Sequence, residues 1–210
     1  MTSPPDNLTA WRTAQRRRLV DQRMAIDKET LARWQHKVDL LLSRGFKDLF
    51  GKPANDRLAI CWPVRNEYDA RPLAGQLRQS GTRIALPVVV APGQALLFRA
   101  WNGDAAELAH GPLGIDYPAN GPAVMPTTLL VPMVGFDRQG YRLGYGGGYF
   151  DRTLAAMPQC PLVIGIAHEF ARLDTLYPQP HDIAMDYVVT EAGIYRRDGD
   201  ALLEVSAIRS

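Results

Sequence analysis

Residues 128–133 read TLLVPM and residues 142–154 read RLGYGGGYFDRTL. Together they decide the fold. The first is an apolar run of strand length; the second passes through Gly144, Gly146, Gly147 and Gly148 into a helical pattern that begins near Gly148. A strand that feeds a helix is half of a crossover unit, the connection that parallel strands require. Upstream, RLAICW at 57–62, RIALPVVV at 83–90 and ALLFRAW at 95–101 read as strands, with a helix from Asp69 to Gln79 between the first two. Downstream, PLVIGIA at 161–167 and YVVT at 187–190 supply two more, the former nearly all apolar, as a strand covered on both faces must be. The pattern predicts an α/β protein: a three-layer, mainly parallel open sheet with helices on both faces, Rossmann-like. No repeat, low-complexity block or linker interrupts it, so one domain over 1–210 is expected, with the Gly- and Pro-rich stretch 111–126 as an ordered surface connection.

The N-terminal third is helical. After a polar lead over 1–7, expected to be flexible, Leu8 to Ala25 reads as a helix containing Arg12, Arg16, Arg17, Arg18 and Arg23. Arg12 and Arg16 are four apart and share a face on which one anion can meet both. Asp27 suits the N-cap of a second helix, whose Leu31, Trp34, Val38, Leu41 and Leu42 form a core stripe ending at Gly45.

A net charge of +2, with 46% hydrophobic and 22% charged residues over 210 positions, is the balance of a globular protein with a substantial core. It gives no general footprint for nucleic acid, which is not expected as a partner, although the arginine-rich helix is a local basic cluster. Cys61 and Cys160 are too few for a disulfide framework and too isolated for structural zinc; both are expected to be buried thiols. Pro4, Pro5 and Asp6 stand where a secretory signal carries its apolar core, and no run of about eighteen apolar residues occurs. A cytoplasmic monomer without a membrane partner is expected. His36, His110, His168 and His181 lack metal-ligand spacing and read as surface or loop hydrogen-bonding groups.

The glycine-rich segment carries the chemistry. Glycines let backbone approach a phosphate chain, free amides and the dipole at a helix start favour an anion, and Arg142 adds a charge-assisted donor. The run is neither a Walker A sequence nor a Rossmann fingerprint, and by itself it also suits a structural turn. Asp151, three residues past the last glycine, adds a carboxylate where magnesium would join phosphate oxygens; it also suits a plain first-turn acid. Asp186, just before YVVT, is the second candidate metal ligand, and Asp182 reads as a loop brace.

The pattern PMVGFDRQGYRLGYGGGYFDRTL at 132–154 resembles the signature of the 5-formyltetrahydrofolate cyclo-ligase family, also called methenyltetrahydrofolate synthetases. The basic first helix, Glu67 after the first strand, PLGIDYP at 112–118 and HDIAMDYVVT at 181–190 support the likeness from Arg12 to Thr190. It implies an ATP- and magnesium-dependent ligase. ATP phosphorylates the formyl oxygen of 5-formyltetrahydrofolate, nitrogen 10 attacks the formyl carbon, and loss of phosphate gives 5,10-methenyltetrahydrofolate and ADP. Carried over, Arg12, Arg16, Arg142, Gly144, Gly146, Gly147, Gly148, Tyr149 and Phe150 would bind ATP, and Asp151 and Asp186 magnesium. Glu67 would hold the pterin. Trp62, which also suits a core aromatic, would wall the folate pocket, and Tyr145 to Tyr149 would border both ligands. Arg142 and Tyr149 are the candidate catalytic residues. The chain departs from the family at Arg12, often Lys; at Phe150, often Tyr; and at Met133, where Gly is usual. An ATP-dependent kinase or ligase of another small anion, or a non-catalytic nucleotide- or folate-binding protein, are the alternatives; retention of both Asp151 and Asp186 and a task for Glu67 speak for the cyclo-ligase.

Overall fold

The computed structural model describes residues 3–51, 57–111 and 114–207. Pro112 and Leu113 of PLGIDYP, and the first two residues of the polar lead, lie outside the described residues. Helix α1 (Leu8–Met24) starts where the Asn7 side chain accepts from the Ala10 amide at 2.9 Å, and α2 (Lys28–Asp48) where Asp27 accepts from Thr30 at 2.8 Å. These caps satisfy amides that have no partner in the first turn. Gly45 does not end α2. Its missing side chain makes room for the Phe50 ring, which would stand 2.3 Å from a Cβ there, and the chain folds back as Phe50 donates to the Gly45 carbonyl at 2.8 Å.

The main sheet has eight strands. In chain order these are β1 (Arg57–Ala59), β2 (Arg83–Val88) and β3 (Leu97–Ala100), then β6 (Thr128–Pro132) and β9 (Leu162–Ile166), then β11 (Tyr187–Val189), β12 (Gly193–Asp198) and β13 (Ala201–Ala207); β4 (Leu108–His110) and β5 (Asp116–Pro118) form a separate hairpin. The spatial order is β13-β12-β11-β9-β6-β1-β2-β3, with five central strands parallel and antiparallel pairs at both edges. A smaller sheet joins β10 (Arg172–Leu173), β7 (Gly135–Asp137) and β8 (Arg142–Leu143).

Alternation along the central strands divides the core. Leu58, Ile60, Ile84, Leu86, Leu130, Ile164, Ile166 and Val189 meet Val38, Leu41 and Leu42 of α2 and Leu73 and Ala74 of α3 (Arg71–Gln79). Their neighbours Ala59, Ala85, Leu129, Val131, Val163 and Val188 face Leu154 of α4 (Tyr149–Ala156) and Phe136 of the small sheet. Successive strand residues point to opposite faces, so strands covered on both sides must be apolar at every position. The expected layered, mainly parallel sheet is therefore present. Met133 fills space that Gly165 leaves, its Sδ lying 2.6 Å from where a Cβ would be.

Three expectations change. Cys160 is exposed, because it falls in the turn between α4 and β9, and Cys61 is half-buried, its thiol pKa pushed up by the shielding around it. His168 is not a surface group: at the end of β9 it is buried. The ribbon β12-β13 was not read as strands, since charged residues such as Arg196 and Arg197 interrupt its apolar pattern.

Asp137 fastens the small sheet to the segment that α1 grips. Wholly buried, it accepts from the amides of Gln139, Tyr141 and Leu176, each at 3.0 Å. Burial raises its pKa and the amide donors oppose the rise. Asp137→Ala leaves the buried Leu176 amide without its acceptor and is expected to lower stability by about 2 kcal/mol, read from urea unfolding.

Candidate active site

Three segments converge on one side of the sheet: α1, the loop 144–148 between β8 and α4, and the segment 176–183. Gly146 and Gly148 have φ of 97° and 61°, conformations that L side chains rarely adopt. Gly148 caps α4 without a side chain, so the first-turn amides have no capping partner. The Nε of Arg16 donates to the Gly144 carbonyl at 2.7 Å, which seats α1 on the glycine loop. Burial and repulsion from Arg12 lower the Arg16 pKa, and Asp182 opposes them.

Arg12 donates to the carbonyls of Leu176 (3.1 Å) and Tyr177 (3.0 Å) and pairs with Asp182 at 2.7 Å. Arg142 pairs with Asp151 at 2.7 Å and donates to the Ile183 carbonyl at 2.9 Å, while Asp151 accepts from the Ile183 amide at 3.0 Å. Burial lowers the Arg142 pKa against the attraction of Asp151 and Asp182. Arg12, Arg16, Arg142, Asp151 and Asp182 are thus one cluster.

Asp186 does not join it. Exposed at the amino end of β11, its carboxylate accepts from the Val163 amide at 2.8 Å at the start of β9. The carboxylate beside the cluster is Asp182, four residues earlier, because the chain between Tyr177 and Ile183 folds over α1 before it enters the sheet. Phe150 packs its partly buried ring against the core cluster that holds Phe136 and Leu154, with the Arg142 guanidinium 5.8 Å from the ring centre. Tyr149 stands at the start of α4, with the Arg152 guanidinium 5.4 Å from its ring centre. Arg152 also donates to the Gly147 carbonyl. Among the described residues no three His, Cys, Asp or Glu side chains are grouped as for a resident metal. Two carboxylates among arginines do fit magnesium that shares phosphate oxygens with its ligand.

Between Gly144 and Gly146 of the same loop, Tyr145 reaches Glu67. Its hydroxyl donates to Glu67 Oε1 at 2.7 Å and accepts from Arg23 Nη2 at 2.6 Å; Arg23 and Glu67 are 3.5 Å apart, with side chains only 4% and 3% exposed. The Val64 amide donates to Glu67 Oε2 at 3.1 Å. Burial raises the Glu67 pKa, opposed by Tyr145, Arg23 and Val64. Burial also raises that of Tyr145. Glu67 lines a cavity of about 250 Å³ with Arg23, Trp34, Met133 and His168. Trp62 is not part of it: it faces a second cavity of about 420 Å³, T-shaped against Trp101 and beneath Arg71.

The sequence matches the family model described as the 5-formyltetrahydrofolate cyclo-ligase family over residues 8–191. The chain belongs to this family. It is 35% identical over 146 residues to the 5-formyltetrahydrofolate cyclo-ligase of Escherichia coli, covering 66% of this chain and 79% of that one. With the enzyme of the same name from Mycoplasma pneumoniae it shares 26% identity over 181 residues, 86% of this chain and 98% of that one. The solved structure of 5,10-methenyltetrahydrofolate synthetase from Aquifex aeolicus superposes with a TM-score of 0.74 at 28% identity, over 94% of this chain and 99% of that one. The family is one of ligases.

Arg23, Arg152 and Asp182 were not read from the sequence as site residues of the cyclo-ligase. Arg152, four residues past Gly148, carried a signal of spacing; Arg23 was one of five arginines, and only its burial separates it from the solvated ones. Replacing Arg23 strands the Glu67 carboxylate in its cavity. Arg23→Gln is expected to cost about 3 kcal/mol. Since the folded Glu67 value lies above the ordinary 4.5, its contribution to stability is present below that pH and is lost as pH rises through the folded value. Without Arg23 the folded value rises further, so urea midpoints of the variant should decline more than those of the parent as pH rises above 4.5.

Proposed function

We propose that the chain carries out the reaction for which its family is named: ATP-dependent closure of 5-formyltetrahydrofolate to 5,10-methenyltetrahydrofolate, with release of ADP and phosphate. The observation that carries this reading is the continuity of the glycine loop. Gly144 and Gly146 meet Arg16 at one end, and Tyr145 meets buried Glu67 between them. One short loop thus borders a cationic cluster suited to phosphates and a buried carboxylate suited to the amino and ring nitrogens of a pterin.

The formyl oxygen attacks the γ-phosphorus and ADP leaves. Nitrogen 10 then adds to the activated formyl carbon, loses its proton, and phosphate departs with the C–O bonding pair, leaving the methenyl bridge. Neither step requires a protein nucleophile; positioning and charge stabilisation are what the chain supplies. Arg12, Arg16 and Arg142 bind phosphate oxygens, as do the first-turn amides of α4 from Tyr149. Arg142 and Tyr149 are the groups proposed to touch the transferred phosphoryl. Asp151 and Asp182 would hold magnesium, which when bound offsets charge on the phosphate oxygens. Glu67 orients the pterin so that its formyl oxygen faces the loop. Among the described residues no helix is long and apolar enough to cross a membrane, and the enzyme is proposed to act as a cytoplasmic monomer.

Purified protein supplied with 5-formyltetrahydrofolate, ATP and magnesium is expected to form methenyltetrahydrofolate only when all three are present. Absence of ATP-dependent product would overturn the proposal, and turnover of another small anion in its place would identify a different ligase or kinase. Asp151→Asn and Asp182→Asn should each lower kcat by about 100-fold and raise the magnesium concentration needed for half-maximal rate. A larger effect of Asp186→Asn than of Asp182→Asn would return the second carboxylate to Asp186.

A further inference from the structure

The turn that presents Glu67 is conformationally unusual. Arg65 and Asn66 have φ of 49° and 59°, two consecutive non-glycine residues in the left-handed region. Such a turn persists only where surrounding contacts determine it. Two carbonyls of this turn are held from outside. Arg23 Nε donates to the Arg65 carbonyl at 2.8 Å, and His168 Nε2 lies 3.3 Å from the Asn66 carbonyl. A carbonyl can only accept, so the ring must carry its proton on Nε2.

The packing around the ring, rather than a bond at its other nitrogen, orients His168. Its Nδ1 is buried without a hydrogen bond and faces Glu191 Oε2 at 3.7 Å, each side chain about 10% exposed. The Glu191 carboxylate is itself fixed, accepting from the Glu169 amide at 3.2 and 3.1 Å. Trp34 from α2 lies 5.1 Å from the imidazole, and Phe170 stacks on it at 5.8 Å with planes 14° apart. Arg23 and Glu67 are the charged groups that share its cavity. The imidazole is thus clamped by aromatic rings, with a carboxylate on one nitrogen and the Glu67 turn on the other.

We propose that His168 is a positioning residue for the pterin-binding carboxylate: by donating to the Asn66 carbonyl it fixes the left-handed turn that aims Glu67. The inference rests on the reading of Glu67 as the pterin contact, and goes beyond it in assigning His168 a task exerted through the Asn66 carbonyl. The chain between Asn66 and Glu67 is one peptide long, so a shift of that carbonyl is passed directly to the carboxylate.

His168→Phe keeps the aromatic packing and removes the donor; His168→Gln keeps a donor without the ring. His168→Phe is expected to raise KM for 5-formyltetrahydrofolate by roughly tenfold, leave KM for ATP and kcat within about twofold, and speed amide exchange at Glu67, whose N–H donates to the Val64 carbonyl at 3.0 Å. His168→Gln should restore part of both effects. Amide exchange at Glu67 is read without substrate, so it judges the positioning role even if the protein does not act on folate. Unchanged exchange at Glu67 and unchanged folate KM in a folded His168→Phe protein would overturn the proposal. So would a parallel rise in both KM values in the Phe and Gln variants, the mark of a general structural defect. If His168→Phe fails to fold, His168→Leu, which also lacks the donor, carries the test: exchange at Glu67 and folate KM both at parent values would refute the proposal.

Discussion

The Arg23 guanidinium is the interaction on which the site depends. It donates to the carbonyls of Arg65 and Met133 and to the Tyr145 hydroxyl, and stands against the Glu67 carboxylate. One side chain on α1 thereby fixes the end of β6, the turn after β1 and the centre of the glycine loop. A charge taken out of water is tolerated only when its donors are satisfied and a counter-charge is near, and both conditions hold here. The geometry of the fork matters as well as its charge: a lysine has one point of charge, whereas Arg23 spans four partners in different directions. Docking of α1 is therefore coupled to the shape of the site.

That coupling gives the arginines on the same helix a double character. Arg12 and Arg16 are engaged with backbone carbonyls and Asp182, so they hold α1 against the loop and the 176–183 segment before any anion arrives. On the proposed function, a phosphate chain entering this cluster would meet cations already oriented by the fold, which reduces the reorganisation that charge stabilisation requires. It must also compete with existing carbonyl and carboxylate partners. The departure from the family's usual lysine at Arg12 fits this arrangement, because the planar fork reaches Leu176, Tyr177 and Asp182 together.

The sheet was legible because strands buried on both faces leave a local mark, continuous apolar runs, and the start of the second helix because Asp27 is a short-range cap. The glycine loop was legible through composition, with Arg142 and Asp151 adjacent to it in sequence. What could not be read depends on distant segments meeting. The two- and three-residue strands of the small sheet are too short for any period to show, and the Arg196 and Arg197 side chains hide the edge ribbon. Arg23 looked like the other arginines of its helix. Trp62 stood five residues from Glu67, yet the turn through Arg65 and Asn66 sends the two side chains into different cavities.

Asp182 and Asp186 show the limit most sharply. Both follow the same loop, both precede the strand, and spacing from YVVT favours the latter. The choice turns on which carboxylate the chain can deliver to Asp151. Met185 is wholly buried and donates its amide to the Gly140 carbonyl, so the backbone between the two aspartates passes into the core. Asp182 lies before that crossing, where Arg12 and the Gln179 amide hold its carboxylate and lower its pKa against the burial that would raise it. Asp186 lies after it, committed to β9. A carboxylate kept ionised beside Arg12, with Ile183 next in sequence bonded to Asp151, joins the arginine cluster; one that braces the opposite end of the sheet does not, which is why Asp182 is the one proposed as the second metal ligand.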